Sequence, residues 1–219
     1  MTGAGPLYHV LKGFLDSESC LTASNLARDL YDAGEMTRNV FQLHTWVANI
    51  DRVGDRKRPE DGRWETIENA HLRIIRTLGL RSWVRDSSLG DFISVMMPDG
   101  IVVRHRDDWQ LKYAKDPRAY CQVRCNLFVC KESGSGDPLV APDEADDSAL
   151  ASLGVPVSTG DMLVFSPTMS LHGTNRVRGG PRIMLSFGLT MTKKTFHQVL
   201  DRLGDRAEGT ARAEGRAVG

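Results

Sequence analysis

His105 and Asp107 stand two residues apart at the end of an apolar run, Gly100-Ile-Val-Val-Arg-His-Arg-Asp107. In an extended strand, residues i and i+2 point to the same side. An imidazole and a carboxylate would therefore project together, about 7 Å apart at their Cα atoms. That spacing suits two ligands on one metal ion. His172 comes much later, in Leu171-His-Gly-Thr174, after the apolar run Met162-Leu-Val-Phe165. Two neutral imidazoles and one carboxylate on one face of an octahedron leave three positions open. Asp108 would point to the other side of the strand, which favours Asp107 as the ligand. Arg182 follows the turn Gly179-Gly-Pro181 and opens another apolar run. A guanidinium placed there can fork a carboxylate bidentately.

These residues need strands to hold them, and the second half of the chain reads as strands. Residues 91–97, 101–106, 120–129, 162–165 and 182–191 are short runs rich in Val, Ile, Leu, Phe and Met. Turn signals separate them at 98–100, 133–138, 160–161 and 179–181. No helical pattern long enough for a βαβ crossover intervenes, so the expectation is an antiparallel sandwich or jelly roll of about eight strands. On the run 120–128, Gln122, Arg124 and Asn126 alternate with Cys121, Val123, Cys125 and Leu127.

The first 85 or so residues read as mainly helical. Ser17 can cap a helix carrying Ala23, Leu26, Ala27 and Leu30 at helical spacing, with Gly34 at its end. A second helix is expected over residues 39–50, with Val40, His44 and Val47 on one face. A third carries Ile67, His71, Ile74 and Leu78, closed by Gly79. Asp51 to Arg63 reads as a polar loop, a connector or a lid. A last amphipathic helix is expected over about 195–203, aligning Phe196, Leu200 and Leu203, followed by a disordered tail at 207–219.

The stretches Val103–Trp109, Ser135–Leu139, Gly160–Ser166 and Leu171–Ile183 resemble the Fe(II)/2-oxoglutarate-dependent dioxygenase superfamily, in its prolyl-hydroxylase-like and small-molecule-tailoring members. The family pattern His-x-Asp…His…Val…Gly-x-Arg falls on His105, Asp107, His172, Val177, Gly180 and Arg182. The resemblance covers roughly residues 89–191. It implies a double-stranded β-helix (jelly roll) core over about 86–191, supported by helices over 16–80, in one domain spanning 1–206. It also implies that His105, Asp107 and His172 bind Fe(II), and that Arg182 pairs with the distal carboxylate of 2-oxoglutarate. The row on 120–128 then suggests cosubstrate contacts from Arg124 or Asn126, or else an exposed polar face.

With O2 as second cosubstrate, the implied reaction is hydroxylation of an unactivated C–H bond, releasing succinate and CO2. A carboxylate at Asp107 speaks for hydroxylation, because family halogenases carry Gly or Ala there. Ser135-Gly-Asp-Pro138 departs from the usual pair of glycines. Substrate-contacting segments are expected at 51–63, at 109–120 with Trp109 and Tyr113, and at the acidic stretch 143–147. A compact domain without a binding module favours a small molecule, an amino acid or biosynthetic intermediate. A hydroxylase of protein side chains and a non-catalytic metal-binding or ligand-sensing jelly roll are the alternatives.

Length and composition set outer bounds. The chain has 219 residues, 28 Lys+Arg against 28 Asp+Glu, and a formal net charge of zero. That balance argues against a nucleic-acid or anionic-membrane partner. A hydrophobic share of 41% fits a globular core. No apolar run approaches the roughly 20 residues of a membrane span. The first six residues show no basic and apolar signal pattern, which gives the expectation of a soluble, cytoplasmic protein. Cys20, Cys121, Cys125 and Cys130 form no CxxC pair and read as buried thiols. The neutral total averages over Arg176, Arg178 and Arg182, expected near the dicarboxylate site, and Asp143, Glu144, Asp146 and Asp147 in one loop.

Overall fold

The apolar rows on residues 120–129 and 182–191 pair with each other and form the centre of the molecule. The computed structural model describes residues 7–40, 42–57, 61–80, 90–107, 118–132, 135–141 and 154–217. Nine strands are present among them: β1 Tyr8–Leu11, β2 Thr37–Arg38, β3 Leu43–Asn49, β4 Phe92–His105, β5 Tyr120–Lys131, β6 Pro138–Ala141, β7 Met162–Phe165, β8 Leu171–Thr174 and β9 Arg182–Thr192. The helices are α1 Ser17–Asp32, α2 Ile50–Lys57, α3 Arg63–Thr77 and α4 Lys193–Ala217. The larger sheet runs β1-β7-β5-β9-β4-β3-β2, antiparallel throughout. A smaller sheet pairs β6 with β8 and β8 with β4. The fold is mostly β and consistent with a jelly roll.

β4 belongs to both sheets. Its first half, Phe92 to Met96, pairs with β3 and β9; its second half pairs Val102 with Thr174 and His105 with His172. The turn signal at Pro98-Asp-Gly100 does not end the strand but bends it. Asp99 takes a positive φ of 65°, and the bend is held by reciprocal backbone bonds to Val177, 2.9 Å each. A strand that changes sheet needs such a corner. The two expected strands, 91–97 and 101–106, are therefore one.

The helices cover the outer face of the large sheet. Cys121, Val123, Cys125 and Leu127 of β5 are fully buried there, against Ile183, Leu185 and Phe187 of β9. All four expected positions of α1 are buried, as are Ile67, Ile74 and Leu78 on and beside α3 and Phe196, Leu200 and Leu203 on α4. The His71 ring stacks on Phe187 at 5.2 Å. Asp16, one residue before Ser17, caps α1 by accepting the Ser19 N–H at 2.7 Å. Gly34 and Gly79 take the left-handed conformation that closes the helices ahead of them.

Four expectations need correction. The first third is not a helical unit, because β1, β2 and β3 alternate with its helices. Residues 43–49, read as helical, form β3 and pair with both β2 and β4. The consecutive Thr45, Trp46 and Val47 suit a pleated surface, and cross-strand pairing overrides the helical spacing of Val40, His44 and Val47. Part of the polar 51–63 loop is the helix α2. At the other end, α4 runs to Ala217 rather than ending near 203, through a segment expected to be disordered. Its Ala, Arg and Glu are strong helix formers, although the segment has no apolar stripe.

Candidate metal centre and cavity

The corner in β4 delivers His105 to the register position opposite His172 of β8. Thr174 Oγ1 accepts the Val102 N–H at 3.0 Å, which ties the two strands together beside the pair. Two residues beyond β4, the Asp107 N–H donates to the Pro167 carbonyl at 3.0 Å and fixes the carboxylate's backbone. Asp107 Oδ1 then lies 3.3 Å from His105 Nε2 and 4.0 Å from His172 Nε2. The two imidazole rings are 4.3 Å apart at their centroids. All three ligand atoms lie within 4.8 Å of one another.

Each imidazole is also oriented from behind. His105 Nδ1 is 2.8 Å from the Val103 carbonyl, and His172 Nδ1 is 3.4 Å from that of Ser170. A carbonyl only accepts, so each Nδ1 carries the proton and each Nε2 presents a lone pair towards Asp107. Burial pushes the His172 pKa well below its ordinary value, whereas that of His105 is raised because the Asp107 carboxylate would accept a hydrogen bond from its Nε2 once the ring is protonated. His172 and Asp107 side chains are each 13% exposed and His105 is 41% exposed, so the cluster has one wet side. Two imidazole nitrogens and one carboxylate on one side of an open space fit a divalent iron with open positions.

The open space is a cavity of about 520 Å³ between the two sheets. The triad, Arg124, Asn126 and Arg182 all line it, so the structure brings together the residues expected to hold metal and cosubstrate. The polar row of β5 is therefore not an exposed face. Gln122 and Arg124 are buried, and the Ser186 hydroxyl donates to Asn126 Oδ1 at 2.8 Å. Arg182 is 4% exposed. Its Nη1 donates to the Gly136 carbonyl at 3.3 Å and its Nη2 faces Met96 Sδ at 3.4 Å. Among the described residues no carboxylate oxygen lies within 4 Å of it. Burial lowers its pKa to about 10, which leaves it cationic at neutral pH.

Arg176 and Arg178 do not join this group. Both are exposed, and Arg176 faces Asp99 at 3.4 Å. Turn residues sit on the surface, so closeness to Arg182 in sequence did not carry them inward. Asp108, Trp109, Tyr113 and residues 143–147 lie outside the described residues.

Sequence reasoning missed Phe165, whose ring packs 5.4 Å from that of His172, and Phe92, whose ring lies 4.9 Å beneath the Arg124 guanidinium. Phe165 sits in the uniformly apolar run Met162–Phe165, where nothing marks the inward side, whereas Ser94, two positions beyond Phe92 and lining the same cavity, is a signal that could have found Phe92. In the sequence Gly136 stands out only as part of an atypical loop. It has φ +67°, and a Cβ there would run into the Asn175 carbonyl. Gly136→Ala is therefore expected to cost about 2 kcal/mol or more of stability. Because Gly136 also accepts from Arg182, the substitution should raise the requirement for any ligand of that arginine. Thermal melts and ligand titration check the two effects.

No family model and no curated protein sequence matches the chain. Solved structures do. A prolyl-4-hydroxylase from Pseudomonas putida superimposes with a TM-score of 0.52 at 18% identity, over 84% of this chain and 91% of that one. A Trichoplax adhaerens prolyl hydroxylase, in complex with a hypoxia-inducible-factor peptide fragment, gives 0.59 at 15% over 87% and 86%. HygX from Streptomyces hygroscopicus, with nickel, 2-oxoglutarate and hygromycin B bound, gives 0.52 at 14% over 85% and 83%. The chain thus has the fold shared by these prolyl hydroxylases and HygX.

Proposed function

We propose that this protein is an Fe(II)- and 2-oxoglutarate-dependent oxygenase that hydroxylates an unactivated C–H bond of a small molecule, releasing succinate and CO2. The observation that carries this reading is the joint placement of the triad and Arg182 on the walls of one cavity. His105 Nε2, His172 Nε2 and Asp107 would hold the iron. When bound, iron supplies the activation of O2 coupled to oxidative decarboxylation of 2-oxoglutarate. Arg182 binds the distal carboxylate of that cosubstrate through its fork, in a dry setting where the charge is weakly screened. Asn126, held by Ser186, is a second cosubstrate contact.

Apolar side chains, Phe128, Val140, Leu163 and Phe165, form an inner wall that excludes water from the reacting region. The cavity volume lies within the range that takes a drug-sized molecule. HygX, with its small-molecule ligand, supports the same substrate class. No helix among the described residues is long and apolar enough to cross a membrane.

The test uses anaerobic protein with Fe(II) and 2-oxoglutarate. A weak visible charge-transfer band is expected on mixing, and succinate on admitting air. Absence of both overturns the reading.

A further inference from the structure

Arg182 shares its stretch of sheet with a second cation. An irregularity between Phe128 and Cys130 resets the β5–β9 register, so that Lys131 stands directly opposite Arg182. Residues opposite one another on an antiparallel ladder project to the same side, with Cβ atoms about 5 Å apart. The Lys131 side chain is 11% exposed, and Arg182 is buried. Like charges side by side in so dry a place repel each other, and a nearby carboxylate lies within reach of both.

That carboxylate belongs to Asp137, whose Oδ1 lies 2.9 Å from Lys131 Nζ. The chain also ties it to the clamp. Gly136, the residue before it, accepts from Arg182 Nη1 at 3.3 Å. Across a planar trans peptide the carbonyl oxygen and the next Cα are about 2.8 Å apart. The Asp137 Cα is therefore within about 6 Å of Arg182 Nη1, a gap that an aspartate side chain can close. Burial lowers the Arg182 pKa, and the Asp137 charge already opposes that fall.

The backbone of this loop has supports of its own. Gly136 packs against the Asn175 carbonyl, and the Asn175 N–H donates to the Asp137 carbonyl at 2.9 Å. The Ser135 N–H donates to the Glu132 carbonyl at 3.1 Å. Pro138 follows Asp137 and confines its backbone to extended conformations. The freedom left to Asp137 is rotation of its side chain, and the contact with Lys131 sets that rotation.

We infer that Lys131 is a positioning residue for the cosubstrate clamp: it holds the Asp137 carboxylate to itself and leaves the Arg182 fork open to a dicarboxylate. This deepens the oxygenase reading and rests on it. Without Lys131, a tethered carboxylate would face a buried guanidinium that touches no other carboxylate among the described residues, and the two would close on each other. Asp137 would then compete with 2-oxoglutarate from within the protein, at the high effective concentration of a group on the same short loop.

Two titrations with 2-oxoglutarate measure the clamp without turnover. One follows the charge-transfer band of anaerobic Fe(II)-loaded protein, and the other is calorimetric, on protein loaded with redox-inert Zn(II). Lys131→Met is expected to raise the 2-oxoglutarate requirement about 10-fold, as when nine clamps in ten are taken by Asp137. Saturating cosubstrate should return succinate formation to the wild-type rate. Asp137→Asn alone should bind as wild type does. Added to Lys131→Met, it should restore wild-type affinity, because a neutral amide is a poor rival for the charged fork. Where Lys131→Met does not load metal, Lys131→Gln with and without Asp137→Asn makes the same comparison.

A wild-type 2-oxoglutarate requirement in Lys131→Met overturns the inference. So does a double variant that stays as impaired as Lys131→Met, or an equal impairment in Asp137→Asn alone, since the ion pair then only braces the Gly136 carbonyl. Failure of the oxygenase reading looks different: the wild-type protein then gives neither band nor succinate.

Discussion

His172→Ala is expected to abolish the anaerobic charge-transfer band and to reduce succinate formation to background. Of the three candidate ligands, His105 and Asp107 come from β4 and the segment after it, while His172 alone comes from β8. Removing His172 leaves two ligands supplied by one stretch of chain and opens one side of the site. Loss of a group that merely orients a ligand costs 10- to 100-fold in metal affinity or activity, so loss of the ligand itself should exceed about 100-fold. The fold should survive, because His172 lies at the cavity wall and the helical core does not include it. Circular dichroism checks the fold, and iron titration followed at the band checks the site. A normal band in the variant would remove His172 from the metal.

Arg182→Met should weaken 2-oxoglutarate binding by about 100-fold, the scale of a lost charge-assisted fork. It should leave stability unchanged or raise it by about 1–2 kcal/mol. The two effects have opposite signs for one reason. A buried cation held by one long carbonyl contact and a thioether is poorly compensated for the water it has lost. Methionine fills much of the same volume without that cost. Arg182→Lys keeps the charge and loses the fork, so its cosubstrate requirement should lie between the two. Titration of the band with 2-oxoglutarate and a thermal melt measure both quantities. An unchanged cosubstrate requirement in Arg182→Met would take Arg182 out of the clamp.

The candidate site was more legible in the sequence than the elements around it. His-x-Asp on an apolar run fixes side and spacing by strand geometry alone, and the alternation on β5 marks the inward row of Arg124 and Asn126. What the sequence could not show is that this row faces a cavity rather than solvent, because β6 and β8 of the other sheet help to cover it. β8 itself is four residues, Leu171-His-Gly-Thr174, with too little pattern to read as a strand. It is one because β4 and β6 pair with it on either side. β3 failed for the opposite reason: its residues satisfy two periodicities, and only its partners choose between them. Pro98-Asp-Gly100 was a true turn signal, but it turns a strand between sheets instead of ending it.

The β5–β9 ladder, which joins Tyr120 to Thr192, has a consequence for how the protein is made. Its two edges cannot meet until the intervening residues have been synthesised. Pairings so far apart in sequence place a chain among the slow folders, in the range of roughly milliseconds to seconds. Arg124, Asn126 and Arg182 all sit on this ladder, and His172 lies within the span it encloses. A nascent chain therefore carries His105 and Asp107 long before it has a clamp or a third ligand. Competence to hold metal and cosubstrate together arrives only with completion of the sheet, so catalytic loading reports on finished folding.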